Sequence, residues 1–272
     1  LARQLGPLKT HCEVAVSRLI EADQWLSIAR WANHDRCVMP ELVGHGIWLE
    51  EGRHILLGME PDPVTYGLGQ AAIKGDQQSL ALLTGANSGG KTTLLECMAY
   101  ACILGHMGLP VPAKRARIGK VEALHILAKA GGTQSAGALE QTLVELATVV
   151  SDPTPKLILA DELEAITEPG AGARIIAGML LAAEAQTDTT MLLVTHLAPA
   201  ILEATKRDDL RVDGIEASGL GADLELLVDR TPKRNHLARS TPELIVRRLV
   251  EKSSGEAKAL FGDILGMFAD EE

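Results

Sequence analysis

Gly85-Ala86-Asn87-Ser88-Gly89-Gly90-Lys91-Thr92 matches the pattern G-x-x-x-x-G-K-[ST] at every fixed position. The apolar run Ser79-Leu80-Ala81-Leu82-Leu83-Thr84 precedes it and reads as a buried strand. Thr93-Leu94-Leu95-Glu96-Cys97-Met98-Ala99-Tyr100 follows, a helical pattern free of Gly and Pro. Strand, glycine loop and helix in that order form a phosphate cradle. The glycines let backbone N–H groups converge on phosphate oxygens, and the helix start adds its partial positive charge. Lys91 then reaches the β- and γ-phosphates, and the Thr92 hydroxyl is placed to ligate Mg²⁺. A nucleoside triphosphate is the implied ligand.

The chain has 272 residues, 46% of them apolar, enough for one large or two small domains with a full core. No apolar stretch approaches the ~18 residues of a membrane-spanning helix, so no membrane contact is expected. The start, Leu1-Ala2-Arg3-Gln4-Leu5-Gly6, carries neither Met nor a signal pattern, and a piece of a longer protein is expected. Cys12, Cys37, Cys97 and Cys102 lack metal-ligand spacing and read as buried, reduced thiols of a cytoplasmic protein. A net charge of −10 argues against a domain that grips nucleic acid by itself, because phosphate neutralisation dominates that affinity. Two basic clusters, Lys114-Arg115-Ala116-Arg117 and Lys233-Arg234 with His236 and Arg239, read as solvated surface.

Apolar residues recur at three- and four-residue steps over 8–34 and predict a helix. Ile47-Trp48-Leu49 and His54-Ile55-Leu56-Leu57 are strand candidates, and 58–78 reads as loop. A turn region at 105–113 follows the helix after the glycine loop, and Gly131-Gly132 marks a further loop. Helices are predicted at 137–151 and 171–186. Strands are predicted at 156–160, 190–195 and 223–228. Thr241 is a candidate N-cap, Pro242 opens a helix to 253, and 256–268 closes the chain as another. Strands alternating with helices give an α/β fold: a mainly parallel sheet flanked by helices on both faces.

Asp161-Glu162 ends an apolar strand, at the edge of the sheet where ligands bind. Asp161 is the candidate Mg²⁺ holder, through water, and Glu162 the general base for an attacking water. His196, after the strand ending at Thr195, is placed to touch the γ-phosphate or that water. Ser135 opens the helix over 137–151, where a serine and free N–H groups make either an ordinary N-cap or an anion site for a nucleotide bound by a second subunit.

With these residues in place, the chain resembles the MutS family of ABC-type ATPases. Thr84 to Thr93 is similar to that family's T-G-[PA]-N-x-G-G-K-[ST]-T, with Asn87 and the doubled glycine as the discriminating letters. Val111-Pro112-Ala113 resembles the family's V-P-A, and Thr195-His196 its T-H. Asp161-Glu162-Leu163 with Thr167, Pro169 and Gly170 resembles D-E-L-G-x-G-T-x-P-x-E-G of the MutS-II branch. Pro40-Glu41, Gly46-Ile47 and Gly52-Arg53-His54 resemble the segment joining lever helices to the ATPase domain.

The resemblance implies an ABC-type P-loop ATPase using ATP and Mg²⁺, a homodimer with composite sites, and Ser135 as the signature serine offered to the partner. It implies that DNA is engaged mostly through regions outside this chain, in branched or recombination intermediates rather than mispairs. It implies an end of the lever-helix region at 1–34, the ATPase domain at 35–240 and C-terminal helices at 241–272. An aromatic residue that stacks on the base is expected upstream of the loop. Tyr66 is the candidate, with a core ring as its alternative. Where the family has glycines, this chain has Glu164 and Ile166. That departure motivates a second reading, a nucleotide-gated dimerisation module with little turnover. A head of another ABC-type ATPase is a third, opposed by the absent L-S-G-G-Q run and by the Asn87 pattern.

Overall fold

The computed structural model describes residues 2–58, 61–73, 77–86, 89–128, 136–166, 168–207, 209–221, 226–238 and 242–269. The core is a five-stranded parallel sheet in the order β6-β7-β8-β4-β9, formed by Ala123–Leu127 (β6), Lys156–Asp161 (β7), Thr189–Val194 (β8), Leu80–Gly85 (β4) and Arg211–Ile215 (β9). Its three central strands are the unbroken apolar runs of the sequence, as expected where both faces are covered. Alternation along each strand divides their side chains. Ala81, Leu83, Leu157, Leu159, Leu192 and Val194 enter one core, while Leu82, Ile158, Ala160, Met191 and Leu193 enter the other.

The second core is closed by helices Ala136–Ser151 (α3), Pro169–Glu184 (α4) and Ala198–Thr205 (α5), through Leu146, Ile176, Leu180 and Ile201. The first core is closed by helix Lys91–His106 (α2) together with a second, mixed sheet. That sheet has the order β1-β5-β2-β3, from Glu41–Val43, Arg115–Gly119, Ile47–Gly52 and Val64–Leu68. A helix of 33 residues, α1 (Ala2–His34), precedes it. A hairpin of Ala217–Leu220 (β10) and Leu226–Val228 (β11) and the helices Pro242–Lys252 (α6) and Gly255–Ala269 (α7) complete the chain.

Three expectations are corrected. Cys97 and Cys102 are buried on α2, but Cys12 is exposed and Cys37 half-buried, because they lie on α1, whose apolar side chains face solvent, and just past its end. His54–Leu57 is a turn, not a strand, because β2 ends in a register shift between Leu49 and Gly52 and the chain folds back, Leu57 N donating to His54 O. The loop expected at 58–78 contains β3 and a 3₁₀ turn at Gly69–Ala71. Gly131-Gly132, Asp223–Glu225, Arg239 and Thr241 lie outside the described residues. Among the described residues no helix is long and apolar enough to cross a membrane. The basic clusters are paired: Lys114 and Arg115 with Glu50, Arg117 with Glu41, and Lys233 and His236 with Glu216.

Candidate functional site

The glycine loop leaves β4 at Gly85, whose φ of 131° belongs to the left-handed half of the map. Helix α2 then starts from Gly90, with φ 89° and ψ 18° and no side chain capping its first turn. The first N–H groups of a helix have no intrahelical acceptor, so this end of α2 is a ready anion site. Asn87 and Ser88 lie outside the described residues; Ala86 and Gly89 are described, and Gly89 N donates to Ala86 O. Thr93 sits in the first turn of α2.

Lys91 is 3% exposed. Its Nζ donates to the carbonyl oxygens of Gly85 at 2.6 Å and Ala86 at 2.9 Å. Burial lowers its pKa, while the carboxylates of Glu162, Asp161 and Glu164 act in the opposite direction. The ammonium therefore rests on the loop's own backbone, in the field of three carboxylates.

Those acids come from the end of β7. The Thr92 hydroxyl donates to Asp161 Oδ2 at 2.7 Å, joining α2 to β7 across β8. Glu162 turns at φ 48°, a strained backbone for a residue with a Cβ, and its N–H donates to Val194 O of β8. His196 follows β8, and its Nε2 meets Glu162 Oε1 at 2.9 Å. Lys91, Thr92, Asp161, Glu162 and His196 thus converge from three elements, as their positions at strand and helix ends suggested.

The Thr92–Asp161 pair is a set of hard oxygen donors suited to Mg²⁺. That ion takes one or two protein oxygens and completes its octahedron with phosphates and waters. Among the described residues no group of three or more His, Cys, Asp or Glu could hold a metal on its own. A site of this composition fits a metal that arrives with its nucleotide.

Of two further expected contributors, one is not described and the other stands apart from this cluster. Ser135 lies outside the described residues. Tyr66, on β3, is a core residue: it is 5% exposed, its hydroxyl donates to Asp213 Oδ2 at 2.7 Å, and the Arg211 guanidinium lies 5.2 Å from its ring centre. Burial raises its pKa well above the usual phenol range. A ring so enclosed has no open face for a base.

Sequence reading missed a hollow beside the start of α2, lined by Gly52, His54, Pro61, Asp62, Thr93 and Arg230. Arg230 Nε pairs with Asp62 Oδ2 at 2.8 Å. His54 accepts from Leu56 N at Nδ1, so its Nε2 carries the proton toward Glu96 Oε2 at 3.1 Å. Gly52-Arg53-His54 gave a signal for one wall, but nothing local marked Arg230. Glu164 was also missed as a contributor. Its Oε1 accepts from the Thr195 hydroxyl at 2.9 Å and from His196 N at 2.7 Å.

Residues 81–232 match the family model for MutS domain V. The chain is 43% identical over 236 residues to the DNA-binding protein MutS2 of Pyrococcus furiosus, covering 85% of this chain and 41% of that protein. It is 32% identical over 170 residues to the DNA mismatch repair protein MutS of Oleidesulfovibrio alaskensis, covering 60% of this chain and 18% of that protein. The chain therefore spans less than half the length of either relative.

Proposed function

The chain belongs to the MutS family, and from that premise we propose that it is an Mg²⁺-dependent ATP hydrolase module of the ABC type. The observation that carries this reading is the convergence of Thr92 with Asp161 and of Glu162 with His196 beside the buried Lys91. The loop amides and Lys91 hold the β- and γ-phosphates, Lys91 exchanging the Gly85 and Ala86 carbonyls for phosphate oxygens. Thr92 and Asp161 hold Mg²⁺, which when bound supplies charge neutralisation between the phosphates. Glu162 takes the proton of the attacking water, and His196 orients the Glu162 carboxylate. The base lies in the hollow between His54, Pro61 and Arg230, in place of a stack on Tyr66.

The whole protein's role is part of the same proposal. Two copies pair with Ser135 of each facing the other's γ-phosphate. DNA is engaged mostly outside this chain, in branched or recombination intermediates. The higher identity to a relative named MutS2 than to one named for mismatch repair supports that branch. The charge of −10 supports an ATPase module that does not grip DNA itself. Residues 1–34 form the end of a lever region, 35–240 the ATPase unit and 241–272 the C-terminal helices of a cytoplasmic protein.

Glu162→Gln tests the reading: ATP binding by calorimetry stays at the wild-type level, and phosphate release with Mg²⁺ falls by about a hundredfold or more. Wild-type turnover in that variant removes Glu162 as the base. The departure from the expected glycines at Glu164 and Ile166 motivates one alternative, a nucleotide-gated dimerisation module with little turnover. A stable ATP dimer in light scattering with no phosphate release from the unaltered chain selects it.

A further inference from the structure

Glu162 is followed by a 3₁₀ turn at Leu163–Ile166, and that turn aims the half-buried Glu164 at the segment after β8. A single oxygen, Glu164 Oε1, accepts both the Thr195 hydroxyl at 2.9 Å and the His196 amide at 2.7 Å. The Thr195 hydroxyl, wholly buried, in turn accepts the Leu197 amide at 2.9 Å. The chain from β8 into α5 is therefore built around one carboxylate oxygen. Hydrogen bonds to an ionised acceptor are about twice as strong as neutral ones. Gly172 of α4 packs against the turn: a Cβ there would lie 3.3 Å from both Glu164 Cα and Cβ. The Glu164 backbone is thus held from behind while its carboxylate holds the β8 end in front.

The result is a two-ended clamp on His196. Glu164 holds its backbone, and Glu162, two residues earlier, meets its ring at 2.9 Å. A glycine at 164 offers no side-chain acceptor, and a solvent-filled gap there leaves His196 free to turn from Glu162. We propose that Glu164 is a positioning residue for the hydrolytic site, fixing the Thr195–Leu197 turn so that the His196 ring stays on Glu162. The proposal rests on the hydrolysis reading above for its catalytic consequence. The clamp itself has a readout of its own.

Two variants of the full chain test it: Glu164→Ala removes the acceptor, and Glu164→Gln keeps a carbonyl oxygen in its place. Steady-state phosphate release with ATP and Mg²⁺ gives kcat and KM, and hydrogen exchange reads the amides of 195–197. In Glu164→Ala, exchange at 196 and 197 rises about tenfold while that at 195, whose amide donates to Leu83 O, holds, kcat falls about tenfold, and KM for ATP stays within about twofold. Glu164→Gln returns both exchange and kcat to within about threefold of wild type. Should Glu164→Ala unfold, Glu164→Gly takes its place as the variant lacking an acceptor, with the same expected changes and the same overturning outcomes, and tenfold changes in Glu164→Gln overturn the clamp. Unchanged kcat in Glu164→Ala, or unchanged exchange, also overturns it. A wild-type chain without turnover sinks the hydrolysis reading while the exchange result still passes or fails the clamp. Normal turnover with unaltered exchange sinks the clamp alone.

Discussion

A methyl group on Gly85 would stand 2.1 Å from the carbonyl oxygen of Ile215, its partner across β4 and β9. Its φ of 131° adds backbone strain for any side chain. Gly90 is different. Its φ of 89° is also left-handed, but the nearest atom to an added Cβ is the tip of Arg230 at 3.9 Å. The two substitutions therefore separate strain from clash. Gly90→Ala carries only the left-handed cost of about 1–2 kcal/mol. Gly85→Ala carries that cost and must also push two adjacent strands apart, adding about 1–3 kcal/mol or more. Urea unfolding at neutral pH measures both, and an equal loss at the two positions contradicts the distinction. The same region of the map is occupied by Glu162 at φ 48°, a residue that has a Cβ. The strain there falls on an acid whose carboxylate meets the His196 ring at 2.9 Å.

Among the elements, α1 ends at His34 with Arg36 in the left-handed conformation at φ 51°. Arg53, just beyond β2, sends Nη2 to the carbonyl oxygens of Asp35 at 2.8 Å and Arg36 at 2.9 Å. A cation on terminal carbonyls satisfies unpaired acceptors and the helix dipole together. It is also a tie between the mixed sheet and the long helix α1, whose Leu19, Ile20 and Trp25 stay exposed. Arg53→Ala should lower stability by about 1–2 kcal/mol and speed amide exchange at 33–37. Exchange unaltered there removes Arg53 as a tie. This contact also explains why His54–Leu57 misled the sequence reading: the segment is apolar, but Arg53 turns back to α1 and the strand cannot continue. The central strands β4, β7 and β8 were legible because burial on both faces leaves an unbroken apolar run. Arg115–Gly119 was not. It carries two arginines and becomes β5 only by pairing between β1 and β2, where Glu41 and Trp48 both face Arg117. The site divides in the same way. Lys91, Asp161, Glu162 and His196 stand at the ends of legible strands or of the loop. Glu164 and Arg230 acquire partners only through the fold, from residues remote in sequence.

At the scale of the whole molecule, the mixed sheet and the parallel sheet are fastened by one buried polar network. Tyr66 of β3 donates to Asp213 of β9, which also accepts from Arg211 at 2.7 Å. Asp213 Oδ1 accepts from Asn235 N, and its backbone carbonyl accepts from the Thr84 hydroxyl beside the glycine loop. Arg211 Nη1 reaches back to Gly67 O of β3 at 3.1 Å. Asp213 is wholly buried and Arg211 is 3% exposed, so neither charge has water to fall back on. The two substitutions here have unequal costs. Tyr66→Phe removes one donor from a carboxylate that keeps Arg211 and Asn235, a loss of about 1–2 kcal/mol. Asp213→Ala strands a buried guanidinium and opens the seam between the sheets, a loss of about 3–5 kcal/mol. Denaturation midpoints in urea rank them. What the ring is for is decided by deleting it, not by removing its hydroxyl. A core tyrosine that only fastens sheets leaves ATP affinity at its wild-type value when its hydroxyl is lost. Tyr66→Leu, which deletes the ring, then weakens stability further but shifts affinity no more than its loss of fold accounts for. A large loss of ATP affinity in a stably folded Tyr66→Leu chain would return the base to Tyr66 and take it out of the hollow beside His54 and Arg230.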